Sequence, residues 1–156
     1  MDIPKHIHAR QHEIFSEYLD QIDKHLLDIV EGRTLEMFEI RDIANAMHIH
    51  PTHLSNTIKS TTGNHPCFYF EAKILAIAKS MLEKNDMTIH AIATLLTYDP
   101  SNFTKFFKKF AHTTPKQYRE DFLAQQRIQK SEMLTIKTET VTINKPNPQP
   151  NFASLM

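Results

Sequence analysis

Tryptophan is absent from the chain, cysteine occurs once and glycine only twice in 156 residues. A single cysteine, Cys67, excludes an intramolecular disulfide framework and fits a reducing compartment. So few glycines, with few β-branched runs, leave little material for the tight turns of an all-β fold and favour helices. No run of 18 apolar residues occurs, so no membrane span is expected. The opening stretch MDIPKHIHARQHEIF lacks the apolar stretch of a secretory leader, so none is expected and the protein is placed in the cytoplasm. Charge of one sign is lacking too: 18 bases balance 18 acids, far from the pI above ~9 of a typical nucleic-acid binder. The balance is uneven along the chain, however. Residues 1–33 hold four bases and seven acids, residues 34–123 ten and nine, and residues 124–156 four and two. Ten histidines add positive charge in mildly acidic solution. No Ser-His-Asp arrangement, phosphate loop or paired-carboxylate site is discernible, so neither catalysis nor a cofactor is expected.

What is present is a repeat. Setting Ile40 over Ile89 carries the alignment without a gap to Tyr69 over Tyr118, and seven of the thirty pairs are identical. These are Ile40/Ile89, Ile43/Ile92, Ala44/Ala93, Pro51/Pro100, Lys59/Lys108, Pro66/Pro115 and Tyr69/Tyr118. Two copies are too few for a solenoid, which needs at least ~3, so one small unit is used twice. In copy one, Ile40, Ile43, Ala44 and Met47 form a short helical stripe, and His48-Ile49-His50 follows. Pro51 then suits the first turn of a second helix, where its missing N–H costs nothing. Copy two repeats this with Ile89, Ile92, Ala93 and Leu96, then Thr97-Tyr98-Asp99 and Pro100. Two short helices joined by three residues, with a small alanine at the crossing, make a helix-turn-helix. The spacing also predicts an amphipathic helix over 14–30 and a long helix over 66–85 between the units. At 1.5 Å per residue the latter is about 30 Å long, close to the ~34 Å between successive major grooves on one face of B-DNA.

The expected organisation is therefore all-α, with about seven helices: an acidic amphipathic helix in 1–33, a first helix-turn-helix in 34–65, a linker helix in 66–86 and a second helix-turn-helix in 87–124. Residues 125–156 are expected to be a largely disordered tail. Within it MLTIKTETVTI reads as a short strand or nothing, and NKPNPQPNFASLM is proline-rich and polar.

These stretches resemble the DNA-binding domain of AraC/XylS-type bacterial transcription regulators. The resemblance rests on DIANAMHIHPTHLSNTIKSTTG, on Ala78 and Leu82, and on IHAIATLL, DPSNFTKFFKKF and TTPKQYR, and covers roughly residues 14 to 121. It implies two helix-turn-helix units joined by a central helix, binding double-stranded DNA on the nucleoid, with RNA polymerase as a further partner. Larger family members carry a separate effector-binding and dimerisation domain, and residues 1–13 are too short for one. The expectation is a stand-alone DNA-binding domain without a small-molecule effector domain. Departures stand out: His48 and Thr97 occupy the turn positions where the family has glycine, His112 replaces another glycine, and Lys73 replaces the usual linker-helix arginine. A β-branched residue is strained at positive φ, which predicts turns built in another way.

The second helix of each unit is the natural reader. Match with the family makes Thr52, Ser55, Asn56, Ser101, Asn102 and Lys105 the base-contact candidates. Asn suits adenine's N6/N7 edge, Lys suits guanine, and hydroxyls suit several bases. His53, Lys59, Thr104, Lys108 and Lys109 are the phosphate-contact candidates, giving affinity without sequence. The bland alternative for each residue is a solvated helix face. Phe103, Phe106, Phe107 and Phe110 fall on one stripe and read as core rather than as a base-stacking platform. His48, His50 and His53 lack a fourth ligand nearby, so no metal site is expected. Cys67 sits in a helix's first turn, where the dipole is expected to lower its pKa; without a positioned partner it reads as a small packed residue. The competing function is a protein-interaction module of the same fold that has lost DNA affinity.

Overall fold

The computed structural model describes residues 5–143. Seven helices follow one another among them: α1 (Lys5–Val30), α2 (Ile40–Ala46), α3 (Pro51–Thr62), α4 (Pro66–Lys84), α5 (Ile89–Leu95), α6 (Pro100–Ala111) and α7 (Pro115–Ile143). No strand occurs among the described residues. Chain contacts divide the molecule into one unit ending at Arg119 and another beginning at Glu120.

In the first unit the apolar stripes meet as their spacing requires. Tyr18, Ile22, Leu26 and Ile29 of α1 are buried with Ile43 and Ala44 of α2 and Leu54 and Ile58 of α3. Each such side chain contributes about 1.5–3 kcal/mol by leaving water. α4 adds Phe70, Ile74, Ala78 and Leu82 to the same core, which continues through Ile92, Ala93 and Leu96 of α5 to Phe103 and Phe107 of α6. α4 packs against α1 and α3 on one side of the repeat and against α5 and α6 on the other. Three polar ties fix it. The Tyr18 hydroxyl donates to the Pro66 carbonyl at 2.8 Å in a buried position, and Lys73 Nζ meets Asp23 Oδ1 at 2.6 Å. Arg119 donates to the Leu82 and Met87 carbonyls at 3.0 and 2.7 Å, closing the end of α4.

The turns depart from expectation. His48 and Thr97 do adopt positive φ, +57° and +65°. Both turns close with the same bonds 49 residues apart. Ile49 N–H donates to Ala44 O and Tyr98 N–H to Ala93 O, while His48 and Thr97 bond to Asn45 O and Thr94 O. This is the helix-end motif in which left-handed backbone satisfies the last carbonyls. The bonds and the buried crossing alanines set the backbone, and the side chains tolerate it by pointing into solvent. His112 ends α6 in the same left-handed conformation, φ +59°, that Gly63 takes at the end of α3.

The expected tail is also corrected. Residues 125–143 are helical, part of α7. Ala124 to Leu134 are mostly strong helix formers. Beyond them the Thr135, Thr138 and Thr140 hydroxyls donate to the carbonyls of Ser131, Leu134 and Ile136, four residues back, a bond that lets threonine sit inside a helix. Residues 144–156, the proline-rich part, lie outside the described residues. At the other end α1 is longer than the apolar stripe, starting at Lys5 rather than near Ile14.

Candidate nucleic-acid interface

α3 and α6 begin alike. His50 Nδ1 accepts from Thr52 N–H at 3.2 Å, and Asp99 Oδ2 accepts from Ser101 N–H at 3.1 Å. Each capping residue is followed by proline at the first helical position, which preorganises the start. The inner face of α3 buries Leu54, Thr57 and Ile58; that of α6 buries Phe103 and Phe107, with Phe106 and Phe110 half-buried. The phenylalanines are thus core, as their spacing indicates, and Tyr98 and Phe103 continue the ring contacts into the turn.

The opposite faces are open. Thr52, His53, Asn56 and Lys59 are exposed on α3, with Ser55 half-buried among them. Ser101, Asn102, Lys105, Lys108 and Lys109 are exposed on α6, with Thr104 half-buried. Within each helix these residues share one surface. Thr104 Oγ1 is partly committed, donating to Pro100 O at 3.1 Å. Lys109 Nζ lies 5.0 Å from the Phe110 ring centroid. Among the described residues Lys59, Lys105, Lys108 and Lys109 make no ion pair, so their charges remain available to an anion. Asp99 is the exposed acid at the start of α6, and a row of acids lies apart from both helices. Glu13, Glu17, Asp20 and Asp23 are exposed on α1. The buried face of α1 packs on α3, so the outward faces of the two helices look away from each other.

Several side chains near this scaffold carry electrostatic weight. His25 is 4% exposed and its Nε2 accepts from Phe38 N–H at 2.9 Å. Its ring stacks on Phe38 with centroids 3.9 Å apart. Burial holds its imidazole below the ordinary range, against the opposing pull of Asp28 and Asp42. Burial and then the bond to Glu83 push the Tyr118 hydroxyl up to about 12. Cys67 departs from both expectations: it is exposed rather than packed, and partial desolvation with the nearby Glu71 carboxylate raises its thiol, outweighing the backbone hydrogen bond of the first turn that lowers it. A raised thiol is a poor nucleophile at neutral pH. Arg119 lies within the TTPKQYR stretch without its role being readable there, and His25 is marked in the sequence only by its place on the apolar stripe of α1.

Comparison with known proteins fits this geometry. A family model described as a helix-turn-helix domain matches residues 43–121, half of the chain. The chain belongs to the AraC/XylS-type helix-turn-helix family. Among curated relatives of this member are two HTH-type transcriptional regulators of Bacillus subtilis (strain 168). YtdP is 31% identical over 64% of this chain and 13% of its own length. YobQ is 30% identical over 58% of this chain and 38% of its own length. The chain therefore spans well under half the length of these relatives. Among solved structures, the DNA-binding domain of AdpA, a global transcriptional factor in complex with a target DNA, shares the fold. Its TM-score is 0.56 at 18% identity, covering 68% of this chain and 96% of that one. Lys73, where the AraC/XylS-type pattern has arginine, pairs with Asp23.

Proposed function

We infer that the chain is a transcription regulator that binds double-stranded DNA by laying α3 and α6 in successive major grooves. One observation carries this reading: two matching turns present two helices whose outward faces are polar and whose lysines make no ion pair among the described residues. Thr52, Ser55, Asn56, Ser101, Asn102 and Lys105 would meet base edges. His53, Lys59, Thr104, Lys108 and Lys109 would meet phosphates. The 19 residues of α4 span about 28 Å, of the order of one turn of B-DNA. The reading assigns no catalysis; the output is an effect on RNA polymerase at the bound promoter, which places the protein on the nucleoid.

Selection from random duplexes at fixed salt tests it. The expected outcome is a consensus of two blocks about 10 base pairs apart; recovered duplexes without a shared pattern would sink it. The heads are unequal, with three lysines in the second against one in the first. Lys105→Ala should then cost more affinity than Asn56→Ala in a gel-shift titration on the selected site, and the reverse ranking would show that the first head is the anchor.

A further inference from the structure

We propose that α7 from Arg127 onward is an additional, sequence-independent DNA-backbone contact, made by Arg127, Lys130 and Lys137. This rests on the DNA-binding reading above. The three bases recur at steps of three and seven residues, which puts them on one helical face. Glu132 and Glu139 each follow one of the lysines by two residues, about 200° round a helix of 3.6 residues per turn. The helix therefore separates its charges, with cations on one side and these carboxylates on the other. All three bases are exposed, and none takes part in an ion pair among the described residues.

The occupant is a polyanion by charge complementarity, and apolar patterning points away from a membrane. An interfacial helix needs one continuous apolar face. Here Met133, Leu134 and Val141 lie toward the bases, interrupted by Arg127, Lys130 and Lys137, while Ile128 and Ile136 lie toward the acids, all exposed. No single side is greasy enough to enter lipid. The backbone of DNA asks only for positive charge at intervals, and the long lysine and arginine stems can lie across the intervening methionine and leucine while their heads reach out. The contact also meets a need of the chain. α3 and α6 together offer four lysines, few for a neutral protein that must hold a strongly charged duplex.

The test is a titration of the full chain with a random-sequence duplex of about three helical turns, read by fluorescence anisotropy across a salt series. Arg127→Gln, Lys130→Gln and Lys137→Gln are combined in one variant, since glutamine keeps helix propensity. A second variant carries Glu132→Gln and Glu139→Gln. Circular dichroism checks that both keep the helix content of the parent. The expected result is a roughly tenfold or greater loss of affinity at low salt in the first variant, with the slope of log K against log salt reduced by about 0.9 for each lost phosphate contact. The second variant should bind at least as tightly as the parent. Equal affinity and slope in the parent and the first variant overturn the proposal and leave the groove reading standing. So does an unchanged slope with a shift in sedimentation, which would show that this face joins a second copy. No DNA binding by the parent chain overturns both readings together.

Discussion

His25 couples a single proton to the path of the chain between α1 and α2. Its Nε2 accepts the Phe38 amide hydrogen, so the ring must be neutral for that bond to exist. The folded protein holds its pKa below the ordinary value, so the unfolded chain takes up the proton first as pH falls. Its contribution is therefore full above about pH 6.5 and is lost as pH drops toward the lowered folded value. The melting temperature should fall between about pH 7.5 and about pH 5, and His25→Gln, which keeps an acceptor but cannot ionise, should shrink that fall. An identical pH dependence in parent and variant would remove His25 from the account. Thr97 makes a second prediction at this scale. A β-branched residue at φ +65° costs about 1–2 kcal/mol that glycine avoids, and its side chain is exposed. Thr97→Gly should therefore raise stability by about 1 kcal/mol in urea unfolding. The outward positions of α3 and α6 were legible as soon as the helical period was known, because burial follows the period. The partner of His25 was not, since nothing local says which amide a buried ring will meet.

At the scale of elements, starts were easier to read than ends. Asp99-Pro100 and Thr114-Pro115 announce helices, and the caps form as written: Asp99 accepts from Ser101 N–H and Thr114 from Gln117 N–H. Removing one such cap costs about 1 kcal/mol. Asp99→Ala should destabilise the protein by about that much, measured by urea unfolding. It should also weaken DNA binding through α6 less than Lys105→Ala does, because it loosens the reader without removing a contact. Helix ends were harder. Glycine is the usual sign of a left-handed residue, and here His48, Asn85, Thr97 and His112 take that conformation instead. The backbone bonds that hold His48, Thr97 and His112 there form only when the helix end closes, and they leave no trace in composition. The outer part of α7 was misread for a related reason. Threonine and valine count against helix in any propensity scale, and the back-bonds of Thr135, Thr138 and Thr140 become visible only once a helix exists to accept them.

Over the whole molecule, zero net charge conceals a division of labour between an acidic α1 surface and the lysines of α3 and α6. Three phosphate-reaching lysines on those helices, Lys59, Lys108 and Lys109, imply a salt slope of about −2.7, and the three bases of α7 would bring it to about −5.4. α1 also has a mechanical part. The buried Tyr18 hydroxyl anchors the Pro66 carbonyl, tying the first helix of the chain to the start of the central one. Tyr18→Phe removes that bond while the carbonyl keeps its place in the helix, and should cost about 0.5–1.5 kcal/mol in denaturant unfolding, lowering the midpoint with no change in slope. The two-unit plan was legible because a duplicated sequence preserves its spacing. The ties that make the copies one body, Tyr18 to Pro66 and Arg119 to Leu82 and Met87, join residues more than 30 positions apart and carry no periodic signal.

The copies share a turn, yet they do not share a vocabulary. Thr52, His53 and Asn56 stand where the second copy has Ser101, Asn102 and Lys105. A tandem of unlike heads has a front and a back. On the reading proposed above, its target has an orientation as well as a spelling, and inverting the site beside a promoter would turn the whole regulator to face the other way.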